Sequence, residues 1–238
     1  MDTTQLSVHI NADAEQVWHM LREPSLIAQW YGWETNGLDE EIQQIYYNNV
    51  LESPDHRRLT LEMGDVFALE PVTDGTVLTM TRGKATGEWE PYDADITEGW
   101  SMFMAQLKFA LERHPHAHRR TIYADGQSTT GQDPWELLGI DTGWLPDPGQ
   151  DYDLTLNTGL RLTGKVWYRS ESQLGLTVHD YAEHGDGLLI LARQAPLSNL
   201  REHPGAVVIA STYGLGATAF EKAAAHWDDF METHYPEG

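Results

Sequence analysis

The sequence predicts an α+β protein in which antiparallel strands are closed by a long amphipathic helix, with this plan used twice. Three observations predict it. Short runs of alternating polar and apolar residues are joined by tight turns, without the intervening helices that parallel strands would require. Two stretches, near residues 95–111 and 218–231, space their apolar residues by three and four over several turns. Each of these helices follows a group of strands, the order expected when a helix covers one face of a sheet.

Taken in order, residues 5–10 put Leu6, Val8 and Ile10 on one face of a strand. A helix follows, capped by Asn11 or Asp13, with Ala14, Val17, Trp18 and Leu21 on its apolar side. Pro24 suits the first turn of a short second helix in which Leu26, Ile27 and Trp30 face inward. Residues 33–39 read as a loop and 41–48 as a strand, with Ile42, Gln44 and Tyr46 alternating against Gln43, Ile45 and Tyr47. The turn Ser53-Pro54-Asp55-His56 leads to a strand carrying Leu59, Leu61 and Met63 on one face. Residues 66–72 and 76–82 form a further pair, and Trp89 falls on a last strand. Asp95, with Glu98 three residues on, opens a helix that presents Ile96, Trp100, Phe103, Met104, Leu107 and Leu111. His114-Pro115-His116 ends it. A helix this apolar laid over a curved antiparallel sheet is the helix-grip arrangement, which leaves room for a cavity between helix and sheet.

The run from Ile10 to Val17-Trp18, then Pro24 and Gln29-Trp30-Tyr31-Gly32, resembles the opening of the SRPBCC (START-like) superfamily, in its branch of activators of the heat-shock protein 90 ATPase. The resemblance extends over about residues 5–113 through the expected strands and closing helix. It implies a helix-grip fold and a space under the closing helix suited to a small hydrophobic or aromatic molecule. It also permits an interaction protein that meets a chaperone or another basic protein through an acidic surface. A cyclase-like or hydrolase-like enzyme is a third reading, for which the sequence supplies no catalytic residue set.

Residues 119–150 are rich in Gly, Pro and Asp, including the run Trp144-Leu-Pro-Asp-Pro-Gly149, and hold only a short helix at 134–138. Strands return after Asp151 at 160–169, 174–181, 187–193 and 206–212. A last helix from Thr218 carries Phe220, Ala224, Trp227, Phe230 and Met231. The expected division is a first domain over 1–118, a connector over 119–150 and a second, reduced copy over 151–238 without a counterpart of residues 8–32.

Composition narrows the function. With 37 acidic residues against 15 Lys and Arg the formal charge is −22, so phosphate backbones and anionic membranes are repelled, and no nucleic-acid partner is expected. The absence of cysteine excludes disulfides and thiolate sites and suits the cytoplasm. The first ten residues, MDTTQLSVHI, carry neither a basic region nor a long apolar run, so neither a secretory signal nor a membrane span is expected. Gly-rich phosphate loops, nucleophile elbows and His-Glu-x-x-His motifs are lacking, and no cofactor is expected. His114, His116 and His118 alternate as metal ligands can, yet lack a frame of carboxylates and read as a solvated linker. Glu88, Glu90, Asp93, Asp95 and Glu98 read as a solvated acidic face. The candidate ligand-binding set is Trp30, Trp33, Tyr46, Phe67, Met80, Trp89, Trp100 and Met104, whose rings and thioethers supply either a packed core or the wall of a pocket.

Overall fold

The computed structural model describes residues 3–141, 143, 145–197 and 201–236; Met1, Asp2 and Trp144, which entered the reading above, lie outside the described residues. The chain divides into two units, Met1–His116 and Ala117–Gly238.

The first unit begins with strand β1 (Thr3–Ile10), helices α1 (Ala14–Arg22) and α2 (Pro24–Ile27), and then α3 (Leu38–Tyr47). Asp13 caps α1: its carboxylate accepts the Gln16 amide N–H at 2.8 Å, while the Gln16 side chain accepts the Asp13 N–H at 3.2 Å. Pro24 occupies the first turn of α2, where a missing N–H costs nothing. Trp30 is fully buried, and its indole N–H donates to the Met20 carbonyl at 2.8 Å, fixing α1 against the turn after α2.

Four strands follow, β2 (Leu51–Glu52), β3 (Arg58–Thr60), β4 (Val66–Val72) and β5 (Gly75–Gly83), and then the closing helix α4 (Asp93–Arg113). The sheet order is β1-β5-β4-β3-β2, antiparallel throughout. Side chains on β5 alternate, and Thr76, Leu78, Met80 and Arg82 all turn inward. Helix α4 lies against β1 and contributes Trp100, Met104, Leu107 and Ala110 to the core formed with Ile10, Leu21, Trp30, Phe67 and Leu78. Glu112, near its end, accepts the Asn11 N–H at 2.8 Å and ties the helix back to the end of β1.

Four expectations for this unit are corrected. Residues 41–48 belong to helix α3 and not to a strand, because Leu38, Ile42, Ile45 and Tyr46 fall at helical spacing while Asp39, Glu40 and Glu41 favour the positive end of its dipole. The strand carrying Leu59 ends at Thr60; the chain turns between Leu61 and Gly64, leaving Met63 81% exposed. Trp89 lies on a short 3₁₀ helix, Gly87–Tyr92, whose Pro91 has no N–H to give to a strand ladder. Helix α4 starts at Asp93, without the cap expected from Asp95 and Glu98, and the Asp93 carboxylate instead accepts the Ala85 N–H at 2.7 Å.

The second unit contains β6 (Arg119–Gln127), α5 (Pro134–Leu138), β7 (Asp151–Thr155), β8 (Arg161–Arg169), β9 (Gln173–Val178), β10 (Gly187–Gln194), β11 (Gly205–Tyr213) and α6 (Ala217–His234). Its sheet order is β6-β11-β10-β9-β8-β7. The expected connector at 119–150 is therefore corrected at its start. Residues 119–127 form β6, paired with β11 from Arg119↔Tyr213 to Gln127↔Gly205. The strand expected over 174–181 stops at Val178, where His179–Tyr181 wind into a 3₁₀ turn.

Both units pair their first strand with their last, continue as an antiparallel meander and finish on a helix that lies over the first strand, which is the helix-grip plan. Strand β6 thus supplies the counterpart of β1 that the sequence did not reveal. The second copy is reduced in its helices: the five residues of α5 stand where the first unit has three helices. Its interior is filled by Leu154, Leu189, Val208, Trp227 and Phe230, and the Trp227 indole donates to the Tyr181 hydroxyl at 2.7 Å.

Candidate functional site

In the first unit a cleft of about 480 Å³ opens beside the first half of α4. Ile96, Gly99, Trp100 and Phe103 of α4 form one wall, and Glu41, Gln44 and Ile45 of α3 form another. The turn 61–65, the end of β5 at Arg82 and Gly83, and the segment from Lys84 to Trp89 complete it. Tyr31 stands where these walls meet, its ring 4.8 Å from that of Phe103 and 5.8 Å from that of Trp100. A wider groove of about 720 Å³ runs along α3, but Asp39, Glu40, Gln43, Asn48 and Asn49 make it a shallow, water-facing surface. The smaller cleft is more enclosed and carries the rings, which is the character of a ligand site.

Two polar assemblies are set into this apolar lining. The first is an arginine between two carboxylates. Arg82 is only 4% exposed; its Nε lies 3.6 Å from Oδ2 of Asp65 and its Nη1 lies 3.7 Å from Oδ1 of Asp93. Nη1 donates to the Thr97 hydroxyl and, at 3.4 Å, to the Asp93 carbonyl, whereas Nε has no hydrogen-bond acceptor. Burial raises the pKa of Asp65 above the ordinary carboxylate value, although Arg82 and the Gly83 N–H favour its charged form. The second assembly is the Tyr31 hydroxyl on Glu41, at 2.6 Å. Burial pushes the Tyr31 phenol up, helped by that hydrogen bond and by the Glu41 charge. The fully buried Tyr46, behind Tyr31, is raised for the same leading reason.

The structure separates the sequence-predicted residues. Trp89 and Trp100 line the cleft. Trp30, Tyr46, Phe67, Met80 and Met104 are buried in the core, so they support the cleft wall without forming it. The ring of Tyr46 stands edge-on to those of Trp30 and Tyr31, and Phe67 edge-on to Trp100. Trp33 is half-buried in the loop after α2 and lies apart from the cleft lining. Tyr31, Phe103, Ile96, Asp65, Glu41 and Arg82 went unpredicted. Arg82 did carry a signal, because it continues the inward phase of Leu78 and Met80 and places a charge in a position the strand reserves for core. Among the described residues no group of three His, Asp or Glu side chains is placed to hold a metal ion, and no helix is long and apolar enough to cross a membrane. Of the acidic face, Asp93 turns to Arg82 and Glu90 lies 3.5 Å from the Lys84 ammonium.

No protein-family model and no curated protein matches the chain. Solved structures do. The chain is similar to DynU16, from the dynemicin biosynthetic locus, with 17% identity over 95% of this chain and 94% of that one and a TM-score of 0.35. It is similar to BexL, a di-domain ARO/CYC from the BE-7585A biosynthetic pathway, with 12% identity over 98% and 93% and a TM-score of 0.39. The Aha1 dimer from Colwellia psychrerythraea is 18% identical, over 48% of this chain and 98% of that one, with a TM-score of 0.37. At these values the chain's own strand order and closing helices define it as an α+β helix-grip protein, and the cleft's own side chains carry its chemistry.

Proposed function

We propose that the first unit binds a small apolar, ring-bearing molecule in the cleft between α3, the end of β5 and the first half of α4. One observation carries this reading. Four large apolar side chains stand exposed among the described residues, Leu51, Met63, Val72 and Trp89, and two of them, Met63 and Trp89, line this same cleft. Exposed apolar area is worth about 25 cal/mol per Å² when a partner covers it. Isolated exposed apolar residues need no explanation, but two flanking an aromatic-lined recess favour occupation by an apolar guest. Tyr31, Trp100 and Phe103 supply ring faces and edges for such a guest, and Ile45, Leu61 and Ile96 supply aliphatic contact.

A ligand that binds the native state and not the unfolded chain must raise the unfolding temperature, by an amount that grows with the logarithm of its free concentration once that exceeds its dissociation constant. Thermal unfolding in the presence of two-ring aromatic compounds should show that rise, and Trp89→Ala should weaken the rise without changing the midpoint of the free protein, because Trp89 is 60% exposed. Absence of any shift across such a panel would sink the proposal.

A further inference from the structure

The chain has no cysteine, so methionine carries all of its sulfur, and with it the side chains most readily oxidised by peroxides. Of the seven methionines Met1 lies outside the described residues, and the others divide sharply. Met20, Met80, Met102, Met104 and Met231 are all buried, whereas Met63 is 81% exposed. The turn puts it there. The Leu61 N–H donates to the Asp65 carbonyl at 2.8 Å and the Gly64 N–H to the Leu61 carbonyl at 2.9 Å, with Gly64 at a φ of +87°. This reversal sends the Leu61 side chain into the core and leaves the Met63 side chain in water, within the lining of the cleft.

An exposed thioether needs no base or metal to react with a peroxide. The sulfur lone pair attacks one oxygen of hydrogen peroxide, an S–O bond forms and the O–O bond breaks. The departing hydroxide takes the proton from the transferred oxygen and leaves as water. Sulfur loses two electrons and the peroxide gains them. Access to sulfur decides where this happens. The product is a sulfoxide, which puts a polar oxygen where an adaptable apolar group stood. An apolar guest has nothing to pair with that oxygen, so covering it costs desolvation. We infer that Met63 is a peroxide-responsive modification site, and that its sulfoxide lowers the affinity of the cleft for an apolar, ring-bearing guest. This inference rests on the binding reading above and adds a regulation to it.

The full chain is exposed to millimolar hydrogen peroxide at neutral pH, sampled over time and mapped by peptide mass spectrometry. Met63 should gain one oxygen at least about tenfold faster than the five buried methionines. The unfolding midpoint of the free protein should stay where it was, since the modified side chain lies outside the core. Calorimetric titration with 2-naphthol should then give a dissociation constant about three- to tenfold higher after oxidation, the effect of one polar group left unpaired on binding. A methionine sulfoxide reductase should restore both the mass and the affinity. Met63→Leu, whatever its own affinity, should show the same value before and after peroxide. Oxidation of Met63 no faster than that of the buried methionines would overturn the modification site. Unchanged affinity of the Met63 sulfoxide, or an equal loss in peroxide-treated Met63→Leu, would overturn the regulation while leaving the binding proposal intact. If neither 2-naphthol nor any other two-ring compound binds the untreated protein, the binding proposal falls and the regulation falls with it.

Discussion

The hydroxyl of Tyr31 donates a 2.6 Å hydrogen bond to Oε1 of Glu41, joining the turn after α2 to the first turn of α3 at the head of the cleft. Replacing the tyrosine with phenylalanine keeps the ring contacts with Trp100 and Phe103 and removes this bond. A hydrogen bond to a carboxylate contributes about 1.5–3 kcal/mol when buried, and less here because Glu41 is exposed. Tyr31→Phe should therefore cost about 1 kcal/mol, measured as a lower urea midpoint at unchanged slope.

Alkaline pH should unfold the protein, and the sign follows from the phenols. Tyr31 and Tyr46 in the first unit and Tyr152 in the second are raised above the ordinary tyrosine value of 10.0, with burial as the leading cause, and Tyr181 and Tyr213 are raised to about 12. In the unfolded chain these groups lose their protons near 10.0, while in the folded chain they keep them. The unfolded state then binds fewer protons, so stability is fully present below that value and is lost as pH rises toward 12. Phenolate absorbance and far-UV circular dichroism should change together in that window. A phenolate signal that rises with the fold intact would contradict the burial argument.

Arg82→Met should destabilise the first unit by about 2–4 kcal/mol, somewhat under the loss expected for breaking a wholly buried pair, because the Asp93 side chain is 25% exposed. The deficit should also depend on pH. Asp65 already has a raised folded-state pKa, and without Arg82 its charge loses its nearest cation and keeps the Gly83 N–H. A carboxylate whose folded value lies above its unfolded one takes up a proton on folding, so stability increases as pH falls through the raised value toward the ordinary 3.8. The gap between variant and parent should narrow on mild acidification, as followed by thermal unfolding across a pH series. A gap independent of pH would mean that the ion pairs contribute little.

In the second unit Trp227 is fully buried and its Nε1 donates to the Tyr181 hydroxyl at 2.7 Å. Trp227→Phe removes the donor and leaves a smaller ring in the same space, with an expected cost of about 2–3 kcal/mol from the lost bond and the unfilled volume. The Tyr181 phenol, lowered in part by this hydrogen bond, should titrate at higher pH in the variant.

Gly126 of β6 has a packing role. A Cβ added there would lie 1.8 Å from the Tyr235 carbonyl oxygen, a backbone atom that cannot swing aside. Gly126→Ala should force β6 and the end of α6 apart and destabilise the second unit by more than about 2 kcal/mol, read from its unfolding midpoint.

The long helices were legible because α4 and α6 repeat their apolar residues over several turns, and α5 because Asp133-Pro134 is an unambiguous start; the Asp133 carboxylate does accept the Trp135 N–H, at 2.8 Å. Helix α3 was misread for a definable reason. Ile42 and Tyr46 are four residues apart, a separation that lies on one face both of a strand and of a helix, and only Leu38 and Ile45 decide between them. Strand β6 was hidden by its two leading arginines, although Arg119 is buried. The candidate site was half legible. Aromatic content pointed to the correct region, but core and pocket wall have the same composition, and which ring faces the opening depends on a tertiary arrangement that spacing does not encode. The sharper signal was Arg82, a charged residue in phase with core positions.

The pairing of each unit's first strand with its last has a consequence for the chain as it is made. In synthesis order β6 emerges early and its hydrogen-bonding partner β11 emerges after every other strand of the unit. Until then β6 waits with its backbone donors and acceptors unpaired, a contact of long sequence separation that is slow to form. A product ending anywhere short of Gly205 would be more than a shortened protein. It would carry a nine-residue strand with no neighbour, and it should be recovered from cells as aggregate.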